Sequence, residues 1–120
     1  MKRVTYFDIA ADSPERAKEF YEKTFDWKVE KWDGPADYWT VETGEGEGID
    51  GGIAKRESKD EHVMSTIDVP SVDEYSARVK ENGGKIIRKR TAVPGVGYMA
   101  TFKDPEGNTF GLMETDEWAE

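Results

Sequence analysis

The chain has 120 residues, a length that predicts one domain able to bury roughly two-thirds of its unfolded surface. It contains no cysteine, which excludes disulfides, thiolate metal sites and thiol chemistry. The 26 acidic and 17 basic residues leave a net charge of −9, and a surface this negative argues against nucleic acid as a partner. Because we find no signal peptide and no apolar run long enough to span a bilayer, we expect a cytoplasmic protein without a membrane partner.

The sequence pattern of the first half of the chain predicts a strand, a helix and then three more strands. The first strand covers residues 4–9. The helix begins at the N-cap Ser13, with a proline at its first position, and ends near Asp26. Residues 27–32 alternate apolar and charged side chains, which predicts a second strand. Residues 38–56 form a hairpin around a loop rich in glycine and glutamate.

The second half repeats this order. Residues 63–69 predict a strand, and the capping box of Ser71 and Glu74 starts a helix. The run Asn82-Gly83-Gly84 ends that helix, and a strand follows at residues 85–90. The closing hairpin spans residues 98–114 around the turn Asp-Pro-Glu-Gly. We expect the polar tail at residues 115–120 to be frayed.

Matching positions of the two halves keep an almost constant offset. Tyr6 and Met64 are 58 residues apart, and Gly52 and Gly111 are 59 residues apart. An offset held over about fifty residues indicates a duplicated βαβββ unit. The predicted fold class is therefore α+β, with tandem modules at residues 1–56 and 62–115 separated by a charged linker.

The pattern resembles the vicinal-oxygen-chelate superfamily, which includes glyoxalase I, extradiol dioxygenases, methylmalonyl-CoA epimerase, and the fosfomycin and bleomycin resistance proteins. The segments that carry the resemblance are FDIAADSPERAKEFYEKTFDWKVE, ENGGKII and PGVGYMATFKDPEGNTFGLME, at residues 7–30, 81–87 and 94–114. One departure is Asp26, where the family often has glycine. The resemblance implies that two modules form a curved sheet around a cleft within a single glyoxalase-like domain.

Enzymes of this family bind one divalent metal through four side chains, one from the first strand and one from the last strand of each module. The resemblance places these four positions on residues that are poor ligands for such a cation. We therefore expect no cofactor, and we treat a divalent metal held by the displaced ligands Asp8, His62 and Glu114 as the alternative. The four vacated positions are Tyr6, Gly52, Met64 and Gly111.

The expected cleft has aromatic and apolar walls with a few polar groups, which is typical of a small-molecule pocket. The two glycines are expected to leave open space beside these walls. The same aromatics also fit a space filled by side chains, as in an interaction or regulatory module. The candidate ligand-binding residues are Tyr6, Asp8, Tyr38, Trp39, Met64, Thr66, Tyr98 and Met113.

The preferred function is a metal-free protein of the glyoxalase-like group that binds an unidentified small molecule and acts as a homodimer. The sequence names no established catalytic residue, although Asp8 and Tyr6 together offer a base and a proton donor for an isomerisation. Two alternatives stay open: a metal-dependent lyase, isomerase or dioxygenase of the glyoxalase I type with displaced ligands, and a drug-binding protein of the bleomycin-resistance type, which would trap a cationic drug.

Overall fold

A computed structural model describes residues 2–120, and within them the chain is α+β with the element order βαβββ-βαβββ. The chain divides into a first compact unit, residues 6–64, and a second, residues 65–120 with the N-terminal residues through Thr5. Among the described residues, no helix is long and apolar enough to cross a membrane. The elements are β1 (Val4–Ala11), α1 (Pro14–Phe25), β2 (Lys28–Lys31), β3 (Tyr38–Glu42), β4 (Asp50–Lys55), β5 (Val63–Asp68), α2 (Val72–Glu81), β6 (Lys85–Val93), β7 (Gly97–Lys103) and β8 (Thr109–Thr115).

In the first unit the strands lie in the order β2-β3-β4-β1. Strand β1 runs parallel to β4, whereas β3 runs antiparallel to both β2 and β4. Alternate residues of β1 point to opposite faces, so Phe7 and Ile9 pack under α1 while Tyr6 and Asp8 face away from it. The core on the α1 side is closed by Val29, Val41 and Ile53, all of them buried.

Helix α1 begins and ends where the local chemistry predicts. The Ser13 hydroxyl accepts the backbone N–H of Arg16 at 3.3 Å, and a proline occupies the first turn. The helix ends at Asp26, which adopts the left-handed conformation with φ of 61°. This conformation favours glycine, and aspartate is among the few other residues that adopt it readily, so the departure at this position keeps the same cap.

In the second unit the order is β5-β8-β7-β6, with β5 parallel to β8 and the other two pairings antiparallel. Helix α2 starts at Ser71, whose hydroxyl accepts the backbone N–H of Glu74 at 3.1 Å. Its first residue, Val72, is completely buried and packs with Ala100 and Leu112. The cores of the two units therefore have the same design, a helix laid on one face of the strands.

The prediction of a frayed tail is wrong. Strand β6 extends to Val93, past the predicted end at residue 90, and the turn after it binds the C-terminal residues. The amide of Asp116 donates to the carbonyl of Val96, and the amide of Gly95 donates to the carbonyl of Ala119, both at 3.0 Å. Ala119 is only 4% exposed. The tail is ordered because its backbone groups find partners in this turn.

Candidate functional site

Three polar side chains meet on the face of the first unit that points away from α1. Tyr6 and Asp8 lie two residues apart on β1 and share that face. Tyr38 comes from β3, and β4 lies between β3 and β1. Its phenol can cross β4 because Gly52 has no side chain, and a Cβ built at Gly52 would overlap the Tyr38 hydroxyl. The glycine therefore permits one side chain to bridge three strands.

The Tyr38 hydroxyl is the centre of the group, which we call the Tyr6–Tyr38–Asp8 chain. It donates a hydrogen bond of 2.5 Å to Oδ1 of Asp8. It also forms a short hydrogen bond with the hydroxyl of Tyr6. All three residues are half-buried. Two phenols and a carboxylate thus form one continuous line of hydrogen bonds on this face.

Burial governs the ionisation of the group. It raises the pKa of the Asp8 carboxyl, and the hydrogen bond from Tyr38 offsets part of that rise. Burial also raises the pKa of Tyr6, and the negative charges of Asp8 and Asp50 raise it further. The pKa of Tyr38 rises strongly through burial, then through the charge and hydrogen bond of Asp8. Both phenols consequently remain neutral at physiological pH.

Two further residues, Asp50 and Trp32, border the Tyr6–Tyr38–Asp8 chain and were not among the site residues predicted from the sequence. Asp50 lies opposite Tyr6 in the β1–β4 register, and its Oδ1 accepts the backbone N–H of Thr43 at 2.9 Å. The ring of Trp32 packs edge-on against Tyr38, with 6.2 Å between the ring centroids. Position alone could have placed Asp50 here, because it precedes Gly52 by two residues on the same strand.

The residues of the first unit do not fit a divalent metal at the family position. Tyr6 offers a phenol that is kept neutral by burial, and Gly52 offers no donor. The space beside Gly52 is already filled by Tyr38, which binds Oδ1 of Asp8 as well. Hard and borderline divalent cations require several carboxylate or imidazole donors together. The carboxylates beside Tyr6 are those of Asp8 and Asp50, and their Oδ1 atoms already accept hydrogen bonds from Tyr38 and from the amide of Thr43.

The displaced ligand set is not assembled either. Oε1 of Glu114 accepts the backbone N–H of Val72 at 2.9 Å, so this carboxylate caps α2. His62 is exposed, and its backbone carbonyl accepts the N–H of Ala10. Within residues 2–120, no three His, Cys, Asp or Glu side chains converge on one point.

Two candidate ligand-binding residues, Trp39 and Tyr98, lie on the helix-covered faces instead. Trp39 packs against the core of the first unit, and Tyr98 against the core of the second. Each ring also carries a cation: Lys31 lies 5.3 Å from the Trp39 centroid, and the Arg90 guanidinium 3.9 Å from that of Tyr98. Lys31 and Trp39 precede their counterparts, Arg90 and Tyr98, by 59 residues each. The duplication therefore preserves this contact between a cation and an aromatic ring.

The remaining candidates belong to other parts of the two units. Thr66 pairs with Gly111 in the β5–β8 register, and Met113 follows on the same face of β8, away from the α2 core. Thr66 is 3% exposed, and its hydroxyl has no hydrogen-bond partner among the described residues. Met64, near the end of the first unit, is half-buried. The structure thus joins Tyr6, Asp8, Tyr38 and Gly52 by direct contact.

Two surface depressions lie elsewhere. One of about 400 Å³ in the first unit is bordered by the start of α1, Phe20 and Arg56. The other, of about 610 Å³, lies in the second unit between α2 and β6. Neither depression is lined by Tyr6, Asp8 or Tyr38, so the hydrogen-bonded side chains lie outside both depressions. We regard the hydrogen-bonded chain as the better candidate site because it concentrates the perturbed ionisable groups.

Comparison with known proteins relates this architecture to one family. The family model described as Glyoxalase/Bleomycin resistance protein/Dioxygenase superfamily matches residues 3–112. A search of curated proteins finds no match.

Solved structures share the fold at low sequence identity. A hypothetical protein from Bacillus halodurans C-125 is 20% identical with a TM-score of 0.73, covering 99% of this chain and 98% of that one. Methylmalonyl-CoA epimerase from Mycobacterium tuberculosis is 12% identical with a TM-score of 0.68, covering 93% and 87%. A Streptomyces coelicolor methylmalonyl-CoA epimerase variant in complex with 2-nitronate-propionyl-CoA is 15% identical with a TM-score of 0.68, covering 100% and 99%.

Proposed function

The chain belongs to the Glyoxalase/Bleomycin resistance protein/Dioxygenase superfamily, and from this membership we propose that it binds a small molecule without a resident metal ion. The proposed site is the face of the first unit that carries the Tyr6–Tyr38–Asp8 chain. The ligand is one that makes both aromatic and polar contacts.

One observation carries the proposal. The phenol of Tyr38 takes the space at Gly52 and binds the neighbouring carboxylate of Asp8. A family enzyme would use the last strand of this module to present a metal ligand, whereas this chain uses that strand to admit a phenol from β3. The proposed site therefore has a built polar centre at the position to which the family resemblance assigns a metal ligand.

Metal analysis tests the first half of the proposal. Protein purified without chelator should contain less than one-tenth of a divalent ion per chain, and added Mn²⁺, Ni²⁺ or Zn²⁺ should bind no more tightly than to a Tyr6→Phe variant. A stoichiometric ion that protects the protein against unfolding would overturn it. Chemical-shift mapping with a fragment library tests the second half, because bound fragments should perturb the amides of β1 and β4.

The second candidate function is a metal-free isomerase or lyase. It is favoured by the raised pKa of Asp8, since a carboxylate that binds protons more strongly is a better base near neutral pH. The hydrogen-bonded phenols would then relay the proton. Exchange of a ligand C–H with deuterated solvent, abolished by Asp8→Asn, would support catalysis over binding alone.

We also propose that the protein is a cytoplasmic homodimer, as expected for a chain of this family and length. Light scattering coupled to gel filtration gives the molar mass in solution. A monomeric mass at high protein concentration would remove the dimer from the proposal.

A further inference from the structure

The hydrogen-bond directions within the Tyr6–Tyr38–Asp8 chain follow from counting protons. Each phenol carries one O–H, and an ionised carboxylate carries none. Tyr38 donates its proton to Oδ1 of Asp8. The bond between the two hydroxyls must then use the proton of Tyr6, with the oxygen of Tyr38 accepting it. Both protons of the group therefore point inwards, towards Asp8.

This arrangement leaves acceptors and no donors for a ligand. Tyr6 keeps lone pairs on its hydroxyl oxygen, and Asp8 keeps the whole of Oδ2. Among the described residues, no further side chain or backbone group donates to either atom. An incoming carbonyl, ether or carboxylate would meet lone pairs at these atoms. An incoming N–H or O–H group would meet two acceptors on the same face.

The negative charge at this site further restricts the class of ligand that can bind there. Asp8 is half-buried, and no positive charge among the described residues lowers the pKa of its carboxyl. The other acidic group near the chain, Asp50, lies opposite Tyr6 and adds negative potential. A partly desolvated carboxylate without a cationic partner is unfavourable, and a bound cation relieves that cost.

The aromatic surroundings suit the same kind of ligand. Tyr6 and Tyr38 lie beside the carboxylate, and Trp32 packs against Tyr38. Aromatic faces attract ammonium groups, most of all where water is partly excluded. The organic part of such a ligand would gain apolar contact from these rings.

We infer that the Tyr6–Tyr38–Asp8 chain recognises a protonated amine, which donates its N–H groups to Tyr6 Oη and Asp8 Oδ2. The inference rests on the proposed function of this site and specifies the chemical class of its ligand. Tyr38 acts as a positioning residue, because its proton holds Asp8 and its oxygen orients the proton of Tyr6 away from the ligand.

Three probes of similar size test the inference near neutral pH: benzylammonium, the neutral acceptor benzyl methyl ether, and the anion benzoate. Titrations are followed by the amide chemical shifts of β1 and β4. We expect benzylammonium to bind at least about tenfold more tightly than either other probe, as a charge-assisted donor should. Equal or tighter binding of the ether or of benzoate at this face would overturn the inference.

Variants separate the site from general electrostatic attraction. Asp8→Asn should weaken benzylammonium binding by about tenfold or more, and Tyr6→Phe, which leaves the net charge unchanged, should weaken it severalfold. The matched control Glu45→Gln removes one negative charge from the exposed β3–β4 loop and should change the affinity by less than about twofold. Equal losses in Asp8→Asn and Glu45→Gln would assign the attraction to net charge and refute the inference.

The same experiment distinguishes the two proposals. If the ether or benzoate occupies the face without preference for the amine, small-molecule binding stands and only the ligand class is wrong. If neither the three probes nor a broad fragment library perturbs β1 and β4, binding at this face is wrong, and the inference falls with it.

Discussion

The phenol of Tyr38 occupies the space into which a side chain at Gly52 would project. The two residues belong to neighbouring antiparallel strands, β3 and β4. The glycine at position 52 therefore leaves no void, because a side chain from β3 fills the space. It is this contact that brings the Tyr38 hydroxyl within hydrogen-bond distance of Asp8 on the far side of β4.

Gly52→Ala should destabilise the protein by about 1–3 kcal/mol, because the new methyl group overlaps the Tyr38 ring. Urea unfolding measures the change in free energy. In a Tyr38→Ala background the obstructing ring is absent, so the same substitution should cost less by about 1 kcal/mol or more. Equal costs in the two backgrounds would show that the two residues do not interact.

Tyr38→Phe should lower the free energy of unfolding by about 1–3 kcal/mol at neutral pH, because the Asp8 carboxylate loses its donor while it stays half-buried. The ring and its contact with Trp32 remain, so the loss reports the hydroxyl alone. Tyr21→Phe removes the same atom from a ring of α1 that stacks on Trp27, with 5.0 Å between the ring centroids. This variant serves as the control, with an expected change within about 0.5 kcal/mol. A loss as large in the control would contradict the assignment.

Asp8→Asn should stabilise the protein at neutral pH, and the gain should shrink in acid. Burial raises the pKa of Asp8 above its ordinary value of 3.8, so the folded state holds this proton more strongly than the unfolded state does. The stabilisation that Asp8 contributes to the wild-type protein is therefore fully present below about pH 3.8. It is lost as the pH rises through the higher pKa that Asp8 has in the folded state. Asparagine has no such loss and still accepts from Tyr38.

Melting temperatures at about pH 4 and about pH 7.5 measure this difference. The gap between Asp8→Asn and wild type should widen towards neutral pH. Glu45→Gln, which changes an exposed acid of the β3–β4 loop, is the control. A gap of the same size at both pH values would show that ionised Asp8 carries no burial penalty.

Glu114→Ala should destabilise the second unit by about 0.5–2 kcal/mol, because the first amide of α2 loses its acceptor. Glu114→Gln keeps an acceptor and loses only the interaction of the charge with the helix dipole, so its loss should be smaller. Urea unfolding compares both variants with Glu117→Ala, which truncates an exposed acid of the tail. If all three variants match wild type, this carboxylate does not cap α2.

Structural features that depend only on residues close together in the chain could be predicted directly from the sequence. Ser13 and Ser71 cap the two helices, since a hydroxyl reaches an amide three residues on without help from the rest of the fold. The turn after β7 is equally local: Asp104 Oδ1 accepts the amides of Glu106 and Asn108, each at 2.9 Å. The α+β class and the order of elements followed from such signals and from the repeat.

The sequence did not show which side chains of β3 and β7, the third strands of the two modules, point towards the helices. Trp39 and Tyr98 are aromatic and close to the right strand positions, yet both point to the helix side. In β7 the reason is the register with β8, which pairs Tyr98 with Glu114 and Met99 with Met113. A shift of one residue exchanges the faces of a strand, and aromatic content does not reveal which face is covered.

The sequence by itself determined that Tyr6, Gly52, Met64 and Gly111, the positions to which the family resemblance assigns metal ligands, offer no carboxylate or imidazole, because side-chain identity decides which atoms can donate to a cation. Only the tertiary structure decided what fills the space beside Gly52 in the first unit. Tyr38 and Asp8 are 30 residues apart in the chain, and the strand order places β4, with its glycine, between them. Contacts that depend on which strands become neighbours arise from the packing of the whole unit, and no local signal encodes them.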